Sequence, residues 1–234
     1  MKITVIYGTS RTEKSSTYNI AQQFLKELAD GNPVTEFHLP KDMPNFCTGC
    51  FNCFSDPAKC PHYAYIKPIS DAMLNADLII ISAPVYVFHM PGQVKALLDH
   101  FGYQWIAHRP IEAFFHKQAL VVTTAAGAGM RHAVRDTQDS FDWWGVGRTY
   151  TFKKAVQASE WSQVSEKKRT EIAKEVKATS QKIMRQKGSG TRLKVKMIFY
   201  LMRFVQKKYR YNPEDVAYWK EKGWFDGKKP WKDT

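Results

Sequence analysis

The sequence predicts an α/β protein with a doubly wound, five-stranded parallel sheet in the strand order 2-1-3-4-5. Short β-branched runs alternate with longer helical stretches over the first two thirds of the chain. Two of these runs, Leu78–Ile81 and Ala119–Val122, are continuously apolar, as expected for parallel strands covered by helices on both faces. Ligands of such sheets bind beyond the carboxyl ends of the strands, where the strand order reverses. The loops after Tyr7 and Ser82 are therefore predicted to form the site.

The individual strands and helices are predicted from this alternation of strand-like and helix-like sequence patterns. The predicted strands are Ile3–Tyr7, Val34–Leu39, Leu78–Ser82, Leu120–Thr124 and Arg148–Lys153. The predicted helices are Thr17–Ala29, Ile66–Leu74, Gly92–Phe101, Met130–Phe141, Gln163–Gln186 and Leu193–Lys208. We expect residues 1–155 to form the sheet domain and residues 156–234 a basic helical extension with a Trp-rich tail.

The positive charge of the chain is confined to its last third. The net charge is +13, yet residues 1–152 hold 13 Lys and Arg against 13 Asp and Glu, whereas residues 153–234 hold 22 against 9. A nucleic-acid partner would need a basic surface on the sheet domain, which this distribution does not predict. The chain begins with a strand and not with an apolar leader, so we expect a cytoplasmic protein.

Hydroxyl side chains are concentrated directly after the first predicted strand. The loop from Gly8 to Tyr18 carries six Ser and Thr residues and leads into the first helix. Unpaired amides at a helix start bind anions, and Ser and Thr hydroxyls add donors, so a phosphate is predicted here. The simpler interpretation is that Ser15, Ser16 or Thr17 only caps the helix. The loop matches neither a Walker A motif nor a dinucleotide Gly-rich motif.

All four cysteines fall within one short segment, with the pattern Cys47-x2-Cys50-x2-Cys53-x6-Cys60. Three thiols at such tight spacing are typical of the start of a ferredoxin-type cluster, whereas zinc sites more often use two separated pairs. Zinc, with His62 as a substitute ligand, and free redox-active thiols remain open alternatives.

Three segments together resemble the NAD(P)H-dependent FMN reductase and iron–sulfur flavoprotein branch of the flavodoxin-like superfamily. They are the loop Gly8–Thr17, the cysteine segment Cys47–Cys60, and the stretch from Ser82 to His100, which contains a Pro-Val-Tyr turn, a glycine, and Lys and Asp in the following helix. The resemblance covers roughly residues 1–150. It implies an FMN-dependent oxidoreductase that takes electrons from NAD(P)H.

The resemblance also implies which residues meet the cofactors. The FMN phosphate would be held by the first loop, at Ser10, Arg11, Ser15, Ser16 and Thr17. The flavin ring would be lined on one side by Pro84, Val85, Tyr86, Val87 and Phe88, and on the other by Thr124, Ala125, Ala126, Gly127 and Gly129. Cys47, Cys50, Cys53 and Cys60 would hold a [4Fe–4S] cluster. No catalytic side chain is expected, because the flavin itself performs hydride and single-electron transfer.

The basic last third contains an apolar stretch at 193–208 with basic ends, too short to cross a bilayer. Ile198, Leu201, Met202 and Val205 share one helical face, which predicts packing against the domain or a second subunit. Contact with a membrane surface is the alternative. The tryptophans beyond it are expected to clamp a neighbouring subunit, giving a homodimer or higher homo-oligomer.

The leading hypothesis is thus an FMN-dependent oxidoreductase whose acceptor is a flavin, a quinone or a redox protein. A non-catalytic electron carrier of the flavodoxin type is one alternative. A zinc-stabilised protein that binds polyanions or membrane surfaces is another, although it leaves the Gly8–Thr17 loop unexplained.

Overall fold

A five-stranded parallel sheet forms the centre of the computed structural model, which describes residues 1–232. Its strands are β1 Ile3–Tyr7, β2 Val34–His38, β3 Leu78–Ser82, β4 Gln118–Ala125 and β5 Arg148–Ala155. They pair in the order β2-β1-β3-β4-β5, with β1 between β2 and β3. The predicted fold class is confirmed. β1, β3 and β4 are buried along their whole length, as their apolar sequences predict.

Helices cover both faces of this sheet. Among the described residues they are α1 Ser16–Leu28, α2 Tyr63–Asn75, α3 Gly92–Asp99, α4 Met130–Trp144, α5 Glu166–Arg185, α6 Leu193–Tyr209 and α7 Pro213–Glu221. One apolar layer joins the sheet to α2, α3 and α4, and a second joins it to α1 and α5. The predicted helices are all present, with ends that differ by a few residues, whereas α7 was not predicted.

Helix α5 belongs to the layers around the sheet. Its residues Ile172, Val176 and Ile183 are buried with Phe24 of α1 against the second apolar layer. Lys154 of β5 also holds it, because the ammonium contacts Glu171 and Glu175 at 2.6 and 2.7 Å. The division of the chain at residue 155 remains a prediction, but the packing of α5 is continuous with the sheet.

The last two helices build a small aromatic core against the same chain. Trp219 and Trp224 are fully buried there with Val195, Phe199 and Phe115. The expectation that these tryptophans clamp a neighbouring subunit is therefore wrong for these two. Burial of a large aromatic side chain is strongly favourable. The apolar side chains of α6 provide that burial for both tryptophans within the same chain.

The predicted packing face of α6 is right only in part, because Ile198 and Met202 pack against the aromatic core while Leu201 is exposed. Val195, Phe199 and Gln206 are buried, while Ile198, Met202 and Val205 are only partly covered and Leu201 is exposed. The sequence pattern was ambiguous because apolar residues occur almost all round this helix. No helix among residues 1–232 combines the length and the apolar character that crossing a membrane requires.

Candidate functional site

A cavity of ≈ 150 Å³ lies at the carboxyl ends of β1, β3 and β4. This is the edge where α1 leaves β1 and where the strand order reverses. Its walls come from four segments of chain: Thr9, Arg11, Ser15 and Ser16 after β1; Pro84, Val85 and Tyr86 after β3; Thr124, Ala125 and Ala126 at the end of β4; and Val156, Ala158 and Ser159 after β5.

The loop after β1 presents a helix start to this cavity. Ser15 is the residue before α1, and its hydroxyl accepts a hydrogen bond from the Tyr18 amide at 3.4 Å. Ser15 and Ser16 line the cavity and are nearly buried. The amides at the first turn of a helix have no partner within the helix, so this wall offers N–H donors as well as hydroxyls. The capping and anion-binding interpretations are therefore compatible.

Two other predicted residues of this loop do not line the cavity. Thr17 is fully buried, and its hydroxyl lies 2.8 Å from that of Ser15. The Thr17 carbonyl accepts a hydrogen bond from the Ser82 hydroxyl at 2.9 Å, which ties α1 to the end of β3. Thr17 thus supports the loop through its contacts with Ser15 and Ser82 and does not face the cavity. Ser10 is exposed and does not line the cavity.

Arg11 reaches across the cavity edge to the chain after β5. Its guanidinium donates to the Ser159 carbonyl at 3.1 Å and to the Glu160 carboxylate at 3.0 Å. The pair is partly exposed, with 46% of the Arg11 side chain and 33% of the Glu160 side chain accessible. Glu160 places a negative charge beside a site that the hydroxyls and the helix start make suitable for an anion.

The loop after β3 carries a strained apolar turn. Tyr86 and His89 pair through two backbone hydrogen bonds of 2.9 and 3.0 Å, and the two residues between them have positive φ angles, 47° at Val87 and 67° at Phe88. Such angles are costly for a β-branched residue and are concentrated at functional sites. Val87 is 93% exposed and Phe88 62% exposed, so neither lines the cavity and both project beside it.

The segment after β4 approaches this turn closely. Thr124, Ala125 and Ala126 line the cavity, whereas Gly127 and Gly129 do not. Gly129 has a φ of +91°, and a Cβ there would lie 2.9 Å from the Phe88 Cα and 2.9 Å from the Val85 Cγ1. Gly129 therefore supports the turn after β3, and Gly127 faces open space.

Sequence reasoning missed Thr9 and the three residues after β5. Val156 and Gln157 continue the sheet pairing through hydrogen bonds from their amides to the carbonyls of Ala125 and Ala126, at 2.9 and 3.1 Å. That pairing carries Ala158 and Ser159 to the cavity. The available signal was that β5 lies beside β4 in the predicted order, so its carboxyl end shares the same edge.

The four cysteines surround a second, smaller cavity. Cys47, Cys50, Cys53 and Cys60 line a small space of ≈ 20 Å³ together with His62 and His100. None of the four is in a disulfide, and Cys47 and Cys50 are exposed. Burial and the neighbouring thiolates of Cys60, Cys47 and Cys50 raise the pKa of Cys53. Thiolates this close together repel one another, which a bound cation would offset.

Two histidines converge on this cavity beside Cys60. The His62 Nδ1 and His100 Nε2 atoms lie 3.0 Å apart, and His100 Nδ1 lies 2.7 Å from the Ala96 carbonyl. Because that carbonyl can only accept, neutral His100 carries its proton on Nδ1, and its Nε2 lone pair faces His62 Nδ1. Ligand atoms of Cys60, His62 and His100 all lie within 4.8 Å of one another, which suits a single metal ion.

The sequence matches a protein-family model over most of its length. The model is described as NADPH-dependent FMN reductase, and it matches residues 1–163. The matched part contains all four cavity segments and the cysteine segment.

Comparison with individual proteins gives relatives of related description. An iron–sulfur flavoprotein of Methanocaldococcus jannaschii is 32% identical over 100 residues, which cover 42% of this chain and 50% of that protein. An FMN-dependent NADH:quinone oxidoreductase of Hahella chejuensis is 25% identical over 146 residues, covering 56% of this chain and 72% of that one. The chain thus spans about half the length of the first relative.

Among solved structures, the fold is similar to an FMN-dependent NADH-azoreductase of Bacillus anthracis crystallised in complex with FMN. The TM-score is 0.61 at 12% identity, and the match covers 78% of this chain and 99% of that one. At this identity the likeness concerns the fold alone.

Proposed function

The chain belongs to the NADPH-dependent FMN reductase family, and from that premise we propose that it binds FMN at the cavity beyond β1, β3 and β4 and passes electrons from NAD(P)H to an acceptor. The observation that carries this proposal is the meeting of a helix start, buried hydroxyls and a strained apolar turn around one cavity at the reversal of strand order.

The residues at the α1 end fit a phosphate. Thr9, Ser15 and Ser16 supply hydroxyls, and the first turn of α1 supplies amides and the positive end of the helix dipole. Arg11 adds a guanidinium that becomes available when its contact with Glu160 opens. We infer that the cavity of ≈ 150 Å³ takes the phosphate and ribityl end of the cofactor.

The residues at the other end fit a planar ring. Pro84, Val85 and Tyr86 form one wall, and Ala125 and Ala126 are small enough for the ring edge to approach the backbone closely. Val87 and Phe88 project into solvent beside this point, where they would cover one ring face. Bound FMN supplies the hydride and electron-transfer chemistry, so the chain needs only to orient the ring, exclude water and leave space for nicotinamide.

For the acceptor we propose a quinone. The support is the match to the quinone oxidoreductase of Hahella chejuensis, together with the open, apolar approach at Val87 and Phe88, which suits a flat apolar molecule. Soluble quinones, free FMN and oxidised redox proteins are compared as acceptors in steady-state assays, and a kcat/KM for quinone below that for free flavin would contradict this choice.

The experiment that tests the proposed function is optical. The purified protein, mixed with FMN and separated from excess, is expected to be yellow, and anaerobic mixing with NADH or NADPH is expected to bleach it. Addition of quinone to the reduced protein should then restore the colour. A yellow protein that neither nicotinamide reduces would instead be an electron carrier, and a protein with no affinity for FMN would contradict the proposal as a whole.

We also propose that Cys47, Cys50, Cys53 and Cys60 hold a [4Fe–4S] cluster. Four thiols around one cavity are a suitable donor set, and the exposure of Cys47 and Cys50 leaves the outer side of the segment open. A zinc ion is the second candidate, because ligand atoms of Cys60, His62 and His100 suit one ion and the space that they line is small. Anaerobic purification followed by metal and sulfide analysis separates them: about four irons and four sulfides per chain support the cluster, and one zinc without sulfide supports the alternative.

A further inference from the structure

Helix α6 presents a second apolar face, directed away from the protein. Leu193, Met197, Tyr200, Leu201 and Phe204 are exposed, with accessible fractions of 72, 62, 41, 58 and 56%. At 3.6 residues per turn they occupy an arc of about 100° on the side opposite the buried residues Val195, Phe199 and Gln206. We call these five residues the outer stripe. Apolar side chains at this density on one exposed face indicate an interaction surface.

The charges that α6 itself contributes beside the outer stripe are all positive. α6 contains no Asp or Glu. Lys196 and Lys207 lie along one side of the stripe, and Lys208 lies among its last residues with its ammonium 5.6 Å from the ring of Phe204. None of these three pairs with a carboxylate among residues 1–232, whereas Lys194 is neutralised by Asp142 at 2.7 Å. A stripe of apolar residues flanked by unpaired lysines matches the interfacial region of an anionic bilayer.

A basic cavity lies at the end of the same helix. Its volume is ≈ 530 Å³, and it is lined by Lys207, Arg210 and Lys220, by Val216 and Phe225, and by one carboxylate, Asp226. The three cations make no ion pair within the described part of the chain. Three positive groups above apolar side chains are the chemistry that accommodates a phosphate headgroup and the adjoining glycerol of a lipid.

We propose that the outer stripe and this basic cavity together dock α6 onto the surface of a membrane containing anionic phospholipid. The helix would lie in the plane of the interface, with the stripe among the acyl chains and the lysines at the phosphates. This is independent of the redox chemistry and does not require FMN to be bound.

The charges on α6 make a second copy of the chain a poorer partner for the outer stripe than an anionic membrane. Packing two outer stripes against each other would bring Lys196, Lys207 and Lys208 of each copy toward those of the other, with no acidic residue on α6 to offset the repulsion. An anionic lipid surface would instead place negative phosphates against these lysines.

The start of α6 also lies away from the flavin cavity. The Arg192 amide donates to the Gly147 carbonyl at 2.8 Å, and the Thr191 hydroxyl donates to the Phe115 carbonyl at 2.7 Å. Both acceptors precede strands, so this end of α6 is at the amino-terminal edge of the sheet, opposite the cavity.

The test is sedimentation of the full chain with vesicles at ~0.1 M and ~0.5 M salt. We expect binding to vesicles of phosphatidylcholine with phosphatidylglycerol, little binding to phosphatidylcholine alone, and weaker binding at the higher salt. Phe204→Glu is expected to lower the partition coefficient about tenfold or more. Met184→Glu is the matched control, because Met184 is equally exposed, at 55%, on α5.

Charge is tested separately from apolar contact. The double substitution Lys207→Glu and Lys208→Glu is compared with Lys167→Glu and Lys177→Glu on α5, which change the net charge equally at exposed positions. We expect only the first pair to abolish binding. Equal losses would mean a diffuse charge effect and would overturn the proposal. So would the absence of binding to anionic vesicles, or a change in oligomer mass on Phe204→Glu in sedimentation equilibrium, which would identify the stripe as an interface between copies.

Discussion

Arg11 and Glu160 form an ion pair of 3.0 Å across the edge of the cavity beyond β1, β3 and β4, joining the loop after β1 to the segment after β5. The pair holds a guanidinium next to the proposed phosphate end of the cavity but also places a carboxylate there. Binding of an anion must therefore compete with Glu160 for Arg11. We infer that the pair limits the affinity for phosphorylated flavin.

Glu160→Gln is accordingly expected to tighten FMN binding by up to about fivefold, since an exposed pair of this kind contributes at most about 1 kcal/mol. Gln retains the side-chain oxygen with which Glu160 caps the short helical turn at Trp161–Gln163, so the fold is preserved. Fluorescence titration measures the effect. Riboflavin, which has no phosphate, is the control ligand, and an equal change in its affinity would contradict the assignment.

Two of the three serines after β1, Ser10 and Ser16, are expected to behave differently. Ser16 is almost buried on the cavity wall, whereas Ser10 is exposed outside it. Ser16→Asp is expected to weaken FMN binding by 100-fold or more, because it places a second negative charge at the phosphate. Ser10→Asp is expected to change it by less than about threefold. Titration of both variants with FMN and with riboflavin distinguishes loss of the phosphate contact from loss of fold.

The contrast between these serines shows what the sequence could and could not specify. The order of the strands, and hence the edge at which the cavity lies, followed from hydrophobic runs such as Leu78–Ile81. The side chains of one loop differ in direction by backbone geometry that no periodicity reveals, so Ser10 and Thr17 were not separable from Ser15 and Ser16. Ser159 reaches the cavity only through the pairing of β5 with β4.

A similar limit explains why the sequence predicted only part of the buried face of α6. Both faces of α6 are apolar, so the sequence did not reveal which face is buried, and the choice depended on Trp219 and Trp224, which lie beyond it. Pro213 and Asn212 together mark a helix start. That signal was available for α7 and was not used.

Gly129 is expected to be required for the shape of the turn at Val87 and Phe88. Gly129→Ala combines a positive φ of 91° with a Cβ 2.9 Å from the backbone of Phe88, so it is expected to cost about 1–3 kcal/mol of stability or to displace the turn. FMN affinity should fall in either case. Gly127→Ala is the matched control, because a Cβ there meets nothing within 4 Å. Equal effects of the two substitutions on binding would show that the turn does not contribute.

Trp224 is expected to be central to the aromatic core of the C-terminal helices. It is fully buried against Phe199 and Trp219, with ring centroids 5.4 and 5.1 Å away. Trp224→Ala is expected to lower the free energy of unfolding by about 3–5 kcal/mol. Tyr211→Ala, at a side chain that is 80% exposed, should stay within about 0.5 kcal/mol. Urea denaturation gives both values, and sedimentation equilibrium of folded Trp224→Ala should show an unchanged oligomer, because the ring packs within its own chain.

The contact between Lys154 of β5 and Glu171 of α5 is expected to make the stability of the protein depend on pH. Hydrogen bonds from Lys154, and next from Lys168, lower the pKa of Glu171 from 4.5 to about 2. The unfolded chain therefore takes up this proton first as the pH falls, so the contribution to stability is complete above about pH 4.5 and is lost on descent to about pH 2. Because Glu171 is exposed, the effect is small and weakens with salt.

Glu171→Gln should lower the urea midpoint at pH 6 and bring it closer to the wild-type midpoint at pH 3. Glu27→Gln on α1 removes the same charge and is the control, which should leave the pH dependence unchanged. If Glu171→Gln showed the same loss of stability between these pH values as the wild type, the contacts of Lys154 would not be responsible for it.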